Sequence, residues 1–429
     1  MRRFTFAATL AASILAAGCT GGGEKTVTPV DTTSCSDIFY EGEGEPDAII
    51  VSEHPRKGNF GGKETATLMI DAIELVLRQR NFRAGEYRIG YQACNDTVRP
   101  EDVFDLGLCE RNATAYARSE GVLGVIAPWN SGCTHVQLPI LSRKAAGPLA
   151  MVSAANTYVG LTRAGPGANE GDPESLYPDG VRNYVRVVSP DTVQGTALAY
   201  LARRRGMQRV VTLSQHHEAG YASAVAGSFL TTVHLLGLEA RDFDWRPQKT
   251  YTAFARQVAA TNPELVYLVG LTQNNAKRLI EDLRDALGPQ VLLAGSDTFL
   301  LPGVAEGIGP AGEGLIATAA GIPTEALPPA GKRFLRAFRK QGTVRPSFLG
   351  ATEAAQAAEV LLDAIARSDG TRASVVEELF RTRVKNGVLG TFTFDRYGDV
   401  VPAPAGVYRF SRGELVFDSV VRVPTLGGN

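Results

Sequence analysis

Strand-like and helix-like segments alternate along most of this chain, and that alternation constrains the fold more than any other feature. The apolar, β-branched run AIIVSEHP is followed by GKETATLMIDAIELVLRQRN, in which Leu68, Ala72 and Val76 recur at helical spacing. Further runs of both kinds follow in turn, such as YRIGYQACND, LCERNATAYARSEG and VLGVIAPWN. A strand, a crossover helix and another strand predict parallel strands with helices on both faces. The sequence therefore predicts a doubly wound, Rossmann-like α/β sheet.

A second set of the same segments predicts a second lobe. A loop rich in Gly, Pro and Asp occupies residues 163–182, and after NYVRVVSPD the alternation starts again near RVVTLSQHH. A chain of 429 residues is also too long for one simple core. Ligands of open α/β sheets bind beyond the carboxyl ends of the strands. Two such lobes predict a shared cleft, so polar residues at strand ends are the binding candidates.

The first residues indicate export. Two arginines precede the apolar run FTFAATLAASILAA, whose length fits a signal peptide better than a transmembrane helix, and residues 1–18 are the predicted signal. The small residues before Cys19 resemble a bacterial lipobox, which predicts lipidation of Cys19 and a membrane anchor of acyl chains. Ordinary cleavage near Ala17 is the alternative, and in either case the protein leaves the cytoplasm. Residues 19–46, rich in Gly, Thr and acidic residues, form a predicted tether.

The other cysteines form an even set of candidates for disulfides. They are Cys35, Cys94, Cys109 and Cys133. In an oxidising compartment such a set predicts two bridges. Three pairings are possible, and the sequence does not choose among them.

Charge and motifs argue against several classes of function. Lys plus Arg number 44 and Asp plus Glu number 45, so no basic excess indicates nucleic-acid binding. The five histidines form no H-E-x-x-H and no C-x-x-C is present, so no metal site is predicted. The chain has no G-x-x-x-x-G-K-[ST], and GIGPAG at residues 307–312 matches G-x-G-x-x-G only by letter, because it follows no strand. We therefore expect no cofactor.

Two strand ends in the first lobe carry residues suited to an anion. Asn130, Ser131 and Gly132 follow VLGVIAPW and begin a helix, where Ser is a favoured N-cap and the helix N-terminus attracts negative charge. Residues 153–157 follow the next strand and offer backbone amides and the Thr157 hydroxyl. Each stretch alone has an ordinary alternative, a capped helix or a turn. Together they predict a clamp for a carboxylate.

Strand ends in the second lobe supply the opposite charge and the walls of the cleft. Asp297 ends the stretch VLLAGSD, and a carboxylate in a cleft suits an ammonium group, with capping of the next turn as the alternative. His216 and His217 follow RVVTLSQ, and Leu271 and Thr272 follow ELVYLVG. These two pairs are candidate cleft walls, although a histidine pair is also common on surface loops.

An exported Ser or Cys hydrolase is the alternative from another functional class. Cys133 with His135 suggests a thiol nucleophile, but residues two apart at a helix start do not face each other reliably, and an exported thiol is expected to be oxidised. Ser131 with a distant histidine lacks the G-x-S-x-G elbow. The sequence therefore favours binding over catalysis.

Several stretches together resemble one protein family. They are YQACND, GVIAPWNSG, PLAMVSAANTYVGLT, the strand-end GSD and TFTFDRYGDVVPAPAGVYRF. From about Asp47 to Val423 the chain resembles bacterial type I periplasmic substrate-binding proteins, in particular the leucine/isoleucine/valine-binding branch that serves ABC importers. The resemblance implies an amino acid or amide as ligand, an ABC permease as membrane partner, and trapping by hinge closure. We expect a monomer, and a ligand sensor of the same fold that transports nothing is the alternative.

The resemblance also implies roles for individual residues. Ser131, Ala155 and Thr157 match the positions that hold an amino acid's carboxylate, and Asp297 matches the acid that holds its ammonium group. The complete set expected to bind ligand is Phe60, Asn130, Ser131, Ala155, Asn156, Thr157, His217, Tyr221, Leu271, Thr272 and Asp297.

Other family features have less direct counterparts in this chain. His217 lies nearest the family's aromatic residue in the second lobe, with Tyr221 as the second choice, and Phe60 lies in a loop that usually forms a side-chain wall. The family's early disulfide implies a bridge between Cys94 and Cys133.

The family fold further implies three crossings between the lobes. Their predicted places are Ser189–Pro190, Ala319–Gly321 and Leu389–Thr391. The predicted lobes are residues 47–189 plus 321–389 and residues 190–320 plus 390–423.

Overall fold

The computed structural model describes residues 27–57, 62–99, 101–145, 147–216, 220–301, 303–342 and 350–423. The predicted signal peptide, Cys19, Phe60 and His217 lie outside these ranges. Within them, no helix combines the length and the apolar character that crossing a bilayer requires.

The regular elements alternate as the sequence predicts. The helices are α1 (Gly62–Gln79), α2 (Leu106–Arg118), α3 (Ser131–Leu141), α4 (Thr192–Arg204), α5 (Tyr221–Leu235), α6 (Thr252–Ala259), α7 (Ala276–Leu287), α8 (Val304–Ile308), α9 (Pro329–Arg339), α10 (Ala351–Arg367) and α11 (Arg372–Phe380). The strands are β1 (Ala48–His54), β2 (Arg83–Ala84), β3 (Tyr87–Asn95), β4 (Val122–Ile126), β5 (Ala150–Ser153), β6 (Tyr184–Arg186), β7 (Arg209–Ser214), β8 (Glu239–Asp244), β9 (Leu265–Val269), β10 (Leu292–Gly295), β11 (Ile316–Ala320), β12 (Arg383–Gly387), β13 (Gly390–Phe394), β14 (Val400–Val401), β15 (Ala403–Ser411) and β16 (Glu414–Val423).

The first lobe contains a six-stranded sheet in the order β2-β3-β1-β4-β5-β6. Its strands are parallel except for β2, which pairs antiparallel with β3. Every residue of β1, β4 and β5 is buried, because a parallel sheet is covered by helices on both faces. Helix α10, from much later in the chain, packs on β4 and β5. The predicted doubly wound sheet is confirmed.

The second lobe contains a seven-stranded sheet in the order β16-β15-β11-β10-β9-β7-β8. The strands from β7 to β11 are parallel, and β15 and β16 add an antiparallel edge. Strand β9 is entirely buried, as its apolar sequence LVYLV requires at the centre of the sheet. The predicted two-lobed α/β class is therefore confirmed as well.

Within the described residues the chain passes between the two large sheets three times. It leaves β6 through residues 187–191 to reach α4, and it leaves β11 through residues 321–328 to reach α9. The small sheet of β12, β13 and β14 follows, and its turn is bound to the first lobe, where Arg186 N donates to Gly398 O at 2.9 Å. The third passage therefore lies at residues 401–403, further along the chain than the predicted place at Leu389–Thr391.

The disulfides differ from the bridge that the family resemblance implies. Cys35 pairs with Cys94, and Cys109 pairs with Cys133, so the expected bridge between Cys94 and Cys133 is wrong. The reason is that residues 35–39, within the predicted tether, run antiparallel along the edge of β3, where Phe39 N donates to Tyr91 O at 2.7 Å. Cys35 thereby lies opposite Cys94, while the neighbouring helices α2 and α3 bring the other two cysteines together.

Candidate functional site

The loop after β4 delivers Ser131 to the strand ends of the first lobe. Asn130 is the N-cap of α3, and its side chain accepts a hydrogen bond from Gly132 N at 2.7 Å. The expectation that Ser131 caps the helix is wrong, because Asn130 has the extended backbone and the short acceptor side chain of an N-cap. Ser131 is instead the first helical residue, and its Oγ accepts from Tyr158 N at 3.4 Å. Because the Ser131 hydroxyl accepts this hydrogen bond, its O–H group can still donate to another acceptor.

The loop after β5 is fixed internally. Ser153 Oγ accepts from the backbone amides of Ala155 (3.2 Å) and Asn156 (2.9 Å). The side chain of Asn156 is fully buried, accepts from the Thr134 hydroxyl at 2.8 Å and donates to Pro128 O at 2.8 Å. The side chain of Asn156 thus joins the two predicted stretches of the anion clamp through hydrogen bonds within the protein. Tertiary hydrogen bonds decide this role, and no sequence pattern indicates it.

Thr157 lies beside an acid that the sequence analysis missed. Asp191 N donates to Thr157 O at 2.9 Å, and Asp191 is buried at the N-terminus of α4. Burial and the neighbouring charge of Asp297 raise the pKa of Asp191, and the Thr157 hydroxyl and the Arg186 guanidinium oppose that rise. An acid directly after the strand NYVRVV, at the first crossing, is a signal that the sequence does contain.

Asp297 follows β10 and is half-buried, with both of its carboxylate oxygens engaged. Gln194 Nε2 donates to its Oδ2 at 3.0 Å, and the Tyr221 hydroxyl donates to its Oδ1. Burial raises the pKa of Asp297, and the hydrogen bonds from Tyr221 and Gln194 counteract the rise. The pKa of Tyr221 is also raised, first by burial and then by the Asp297 charge. The structure therefore brings together the two predicted residues Tyr221 and Asp297.

The loop after β9 lies next to the same strand end. Leu271 N donates to Gln215 Oε1 at 2.9 Å, and the Thr298 hydroxyl donates to Gly270 O at 2.6 Å. Gly270 has a φ of 154°, and a Cβ there would meet the side chain of Gln215 at 2.3 Å. Leu271 and Thr272 are both partly exposed. They therefore remain candidates for the wall beside Asp297.

The arrangement does not support the nucleophiles that the sequence suggests. Cys133 forms a disulfide with Cys109 and has no thiol. His135 Nε2 contacts Asp172 Oδ2 at 2.9 Å, and the imidazole has no Cys133 thiol to activate because that cysteine is oxidised. The partner found for the Ser131 hydroxyl is the amide of Tyr158, not an imidazole base. These contacts fit a binding site better than a catalytic dyad.

Two α/β lobes whose strand ends carry hydroxyls in one lobe and a carboxylate in the other are typical of the class of α/β proteins that bind small molecules at strand ends. The chain belongs to the periplasmic binding protein family, whose family model matches residues 104–414. No curated protein matches the chain by sequence.

Solved structures share the fold over most of the chain. The leucine-binding protein LivK of Thermotoga maritima is 23% identical with a TM-score of 0.64 and covers 87% of this chain and 99% of its own. The branched-chain amino acid transporter substrate-binding protein LivJ of Streptococcus pneumoniae, in complex with isoleucine, is 17% identical with a TM-score of 0.61, covering 88% and 99%. A solute-binding protein of an ABC transporter from R. palustris, in complex with benzoate, is 16% identical with a TM-score of 0.60, covering 89% and 98%.

Proposed function

We propose that this protein is the exported solute receptor of an ABC importer and binds an amino acid or a similar small molecule that carries an ammonium group. The observation that carries the proposal is the half-buried Asp297, held by Gln194 and Tyr221 and close to the second acid Asp191. Two carboxylates with raised pKa values in one cleft favour a ligand with a positive charge.

The opposite half of the site supports recognition of the ligand's carboxylate. The Ser131 hydroxyl is free to donate, and it lies at the positive end of the α3 dipole. The backbone of Thr157 is held by Asp191, so Ser131 and Thr157 are positioned from neighbouring strand ends. A carboxylate near Ser131 and an ammonium group near Asp297 would complement both halves.

Among the ligands bound in the similar solved structures, this charge pattern favours the amino acids. Leucine-type amino acids carry an ammonium group, whereas benzoate, the ligand of the R. palustris protein, carries none. An aromatic acid would leave Asp297 facing the cleft without a positive partner, which costs free energy when the cleft excludes water.

The three passages between the sheets support hinge closure as the binding motion. We assign residues 47–189 with 321–401 to one moving lobe and residues 190–320 with 403–423 to the other, because the turn after β13 is attached to the first lobe through Arg186. The ligand would shift the balance between open and closed forms, and no bond need change. The signal-like N-terminus supports anchoring through lipid at Cys19, which would hold the monomeric receptor near its permease.

A thermal-shift screen tests the function directly. Purified protein is heated with a panel of amino acids, small amides and benzoates, and a ligand that binds the folded form raises the midpoint temperature. We expect shifts from amino acids and none from benzoates. In the Ser131→Ala variant the shift should shrink without any turnover of the compound. Hydrolysis of a panel member that is lost in Ser131→Ala would instead support the exported hydrolase.

A further inference from the structure

A second polar cluster lies in the first lobe, at the carboxyl ends of β1 and β3. Glu53, near the end of β1, and Asp96, just after β3, are both fully buried. Glu53 Oε2 accepts from the Tyr116 hydroxyl at 2.7 Å and from Gln137 Nε2 at 2.8 Å. These residues are distinct from those that contact Ser131, Thr157 or Asp297.

The cluster contains buried oxygens without a hydrogen-bond donor. Among the described residues no hydrogen bond reaches Glu53 Oε1, either carboxylate oxygen of Asp96, or Gln137 Oε1. The Asn112 amide lies near Glu53 and lowers its pKa. The Gln137 amide is oriented by two acceptors, because its Nε2 also donates to Cys109 O at 3.2 Å. Its Oε1 is therefore a true acceptor, and the unpaired oxygens of Glu53 and Asp96 are acceptors as well when these acids are ionised.

The charges in the cluster are also unbalanced. Burial raises the pKa of Glu53 to about 8, and the charge of Asp96 adds to that rise. Burial raises the pKa of Asp96 to about 7. Buried carboxylates are normally paired with a cationic side chain or a metal ion, and the charged group that acts on the Glu53 pKa is another acid.

We propose that Glu53, Asp96 and Gln137 bind a hard divalent cation, of which Ca²⁺ is the representative. Carboxylate and amide oxygens are the ligands that such ions prefer, and two carboxylates balance a charge of two. Cys109 and Cys133 offer sulfurs within 4.8 Å of a Glu53 oxygen, but they form a disulfide and supply no thiolate. A soft-metal site is therefore disfavoured, and an oxygen-only site remains.

The bound cation would have a structural role. It would join β1, the segment after β3, and α3, the helix that begins at Ser131. Because the ion binds the folded lobe and has no assembled site in the unfolded chain, it would raise the stability of the folded protein. The inference does not depend on which solute the cleft binds.

Thermal unfolding and luminescence test the proposal on the wild-type chain. After dialysis against EDTA, millimolar CaCl₂ should raise the midpoint temperature saturably by about 2 °C or more. Tb³⁺, a hard-cation probe, should show luminescence sensitised by the adjacent Tyr116, and Ca²⁺ should quench it by competition. A midpoint that neither EDTA nor CaCl₂ changes, together with absent Tb³⁺ luminescence, would overturn the proposal. It would leave ordered water and protonated acids as the partners of these oxygens.

Variants locate the ion if it binds. Glu53→Gln and Asp96→Asn keep the side-chain shapes but remove one charge each, and each should abolish the Ca²⁺ shift. Glu353→Gln is the matched control, because Glu353 is also a buried acid but accepts from Gly350 N and Thr352 Oγ1. Its Ca²⁺ shift should equal that of the wild type. A shift that survives in both Glu53→Gln and Asp96→Asn would place the ion elsewhere and contradict the assignment.

Discussion

Gln194 holds Asp297 through both ends of its side-chain amide. Its Nε2 donates to Asp297 Oδ2 and its Oε1 accepts from Asp297 N, each at 3.0 Å. Gln194 lies one helical turn after Asp191, whose backbone amide donates to Thr157 O. The start of α4 therefore positions two residues together. They are Thr157, in the part of the site proposed to bind the ligand's carboxylate, and Asp297, which is proposed to bind its ammonium group.

Asp297→Asn should weaken the binding of a zwitterionic ligand. Loss of the charge leaves an ammonium group without its partner in a closed cleft, which costs about 2–5 kcal/mol. Isothermal titration calorimetry measures the change, with Asp285→Asn on the exposed face of α7 as the control. Equal affinity for wild type and Asp297→Asn would refute the assignment of Asp297 to the ammonium group.

Ligand binding should release protons from the pair of Asp191 and Asp297. Burial, followed by mutual repulsion, raises the pKa of Asp191, so below that raised pKa the empty cleft retains a proton. An incoming ammonium group favours the ionised acids and lowers their pKa, so the proton leaves and affinity rises with pH. Calorimetry at about pH 6 in buffers of different ionisation enthalpy measures the release. Asp191→Asn should reduce it, and a binding enthalpy that is the same in every buffer would count against the pair.

Arg186→Met should destabilise the first lobe. The fully buried guanidinium donates from Nε to Asp399 Oδ1 at 2.8 Å and from Nη1 to Tyr158 O at 2.8 Å. Removal of the guanidinium leaves Asp399 as a buried charge with fewer cationic partners. We expect this to lower the free energy of unfolding by about 3–5 kcal/mol. Denaturant unfolding measures the loss, and the exposed Arg204→Met is the control. Because Tyr158 follows Thr157, we also expect weaker ligand binding, and equal stability of the two variants would contradict the argument.

The disulfide pairing can be read directly. Non-reducing peptide mapping should recover Cys35 linked to Cys94 and Cys109 linked to Cys133, with no free thiol among them. The double change of Cys109 and Cys133 to Ser should lower the free energy of unfolding by about 3 kcal/mol, because the unfolded chain loses a loop constraint. A peptide that links Cys94 to Cys133 would show the described pairing to be incorrect.

Glu353 should make stability depend on pH. Burial raises its pKa from 4.5 to about 8 in the folded chain. Between these two values the folded chain keeps a proton that the unfolded chain has lost, so this stabilisation is complete below the lower value and disappears as pH rises through about 8. Glu353→Gln cannot ionise and should show a smaller fall in midpoint temperature from acidic to alkaline pH. The exposed Glu377→Gln should keep the wild-type slope, and an unchanged slope in Glu353→Gln would contradict the expectation.

The sequence by itself determined the fold class and part of the site. Local hydrophobic periodicity is enough to place strands and helices. Their alternation predicts two sheets of mainly parallel strands, with the ligand expected at the strand ends. The contact between Tyr221 and Asp297 joins two residues that the sequence analysis had named separately.

Only the tertiary structure decided which partner each of the remaining residues has. Asn156 turns inward because Thr134 of α3 and Pro128 of the loop before α3 lie opposite its side chain. Cys35 pairs with Cys94 because residues 35–39 of the predicted tether run along the edge of β3. Such contacts join residues far apart in the chain, so local periodicity carries no information about them. The same holds for the buried oxygens around Glu53, which only the folded packing of β1 and α3 brings together.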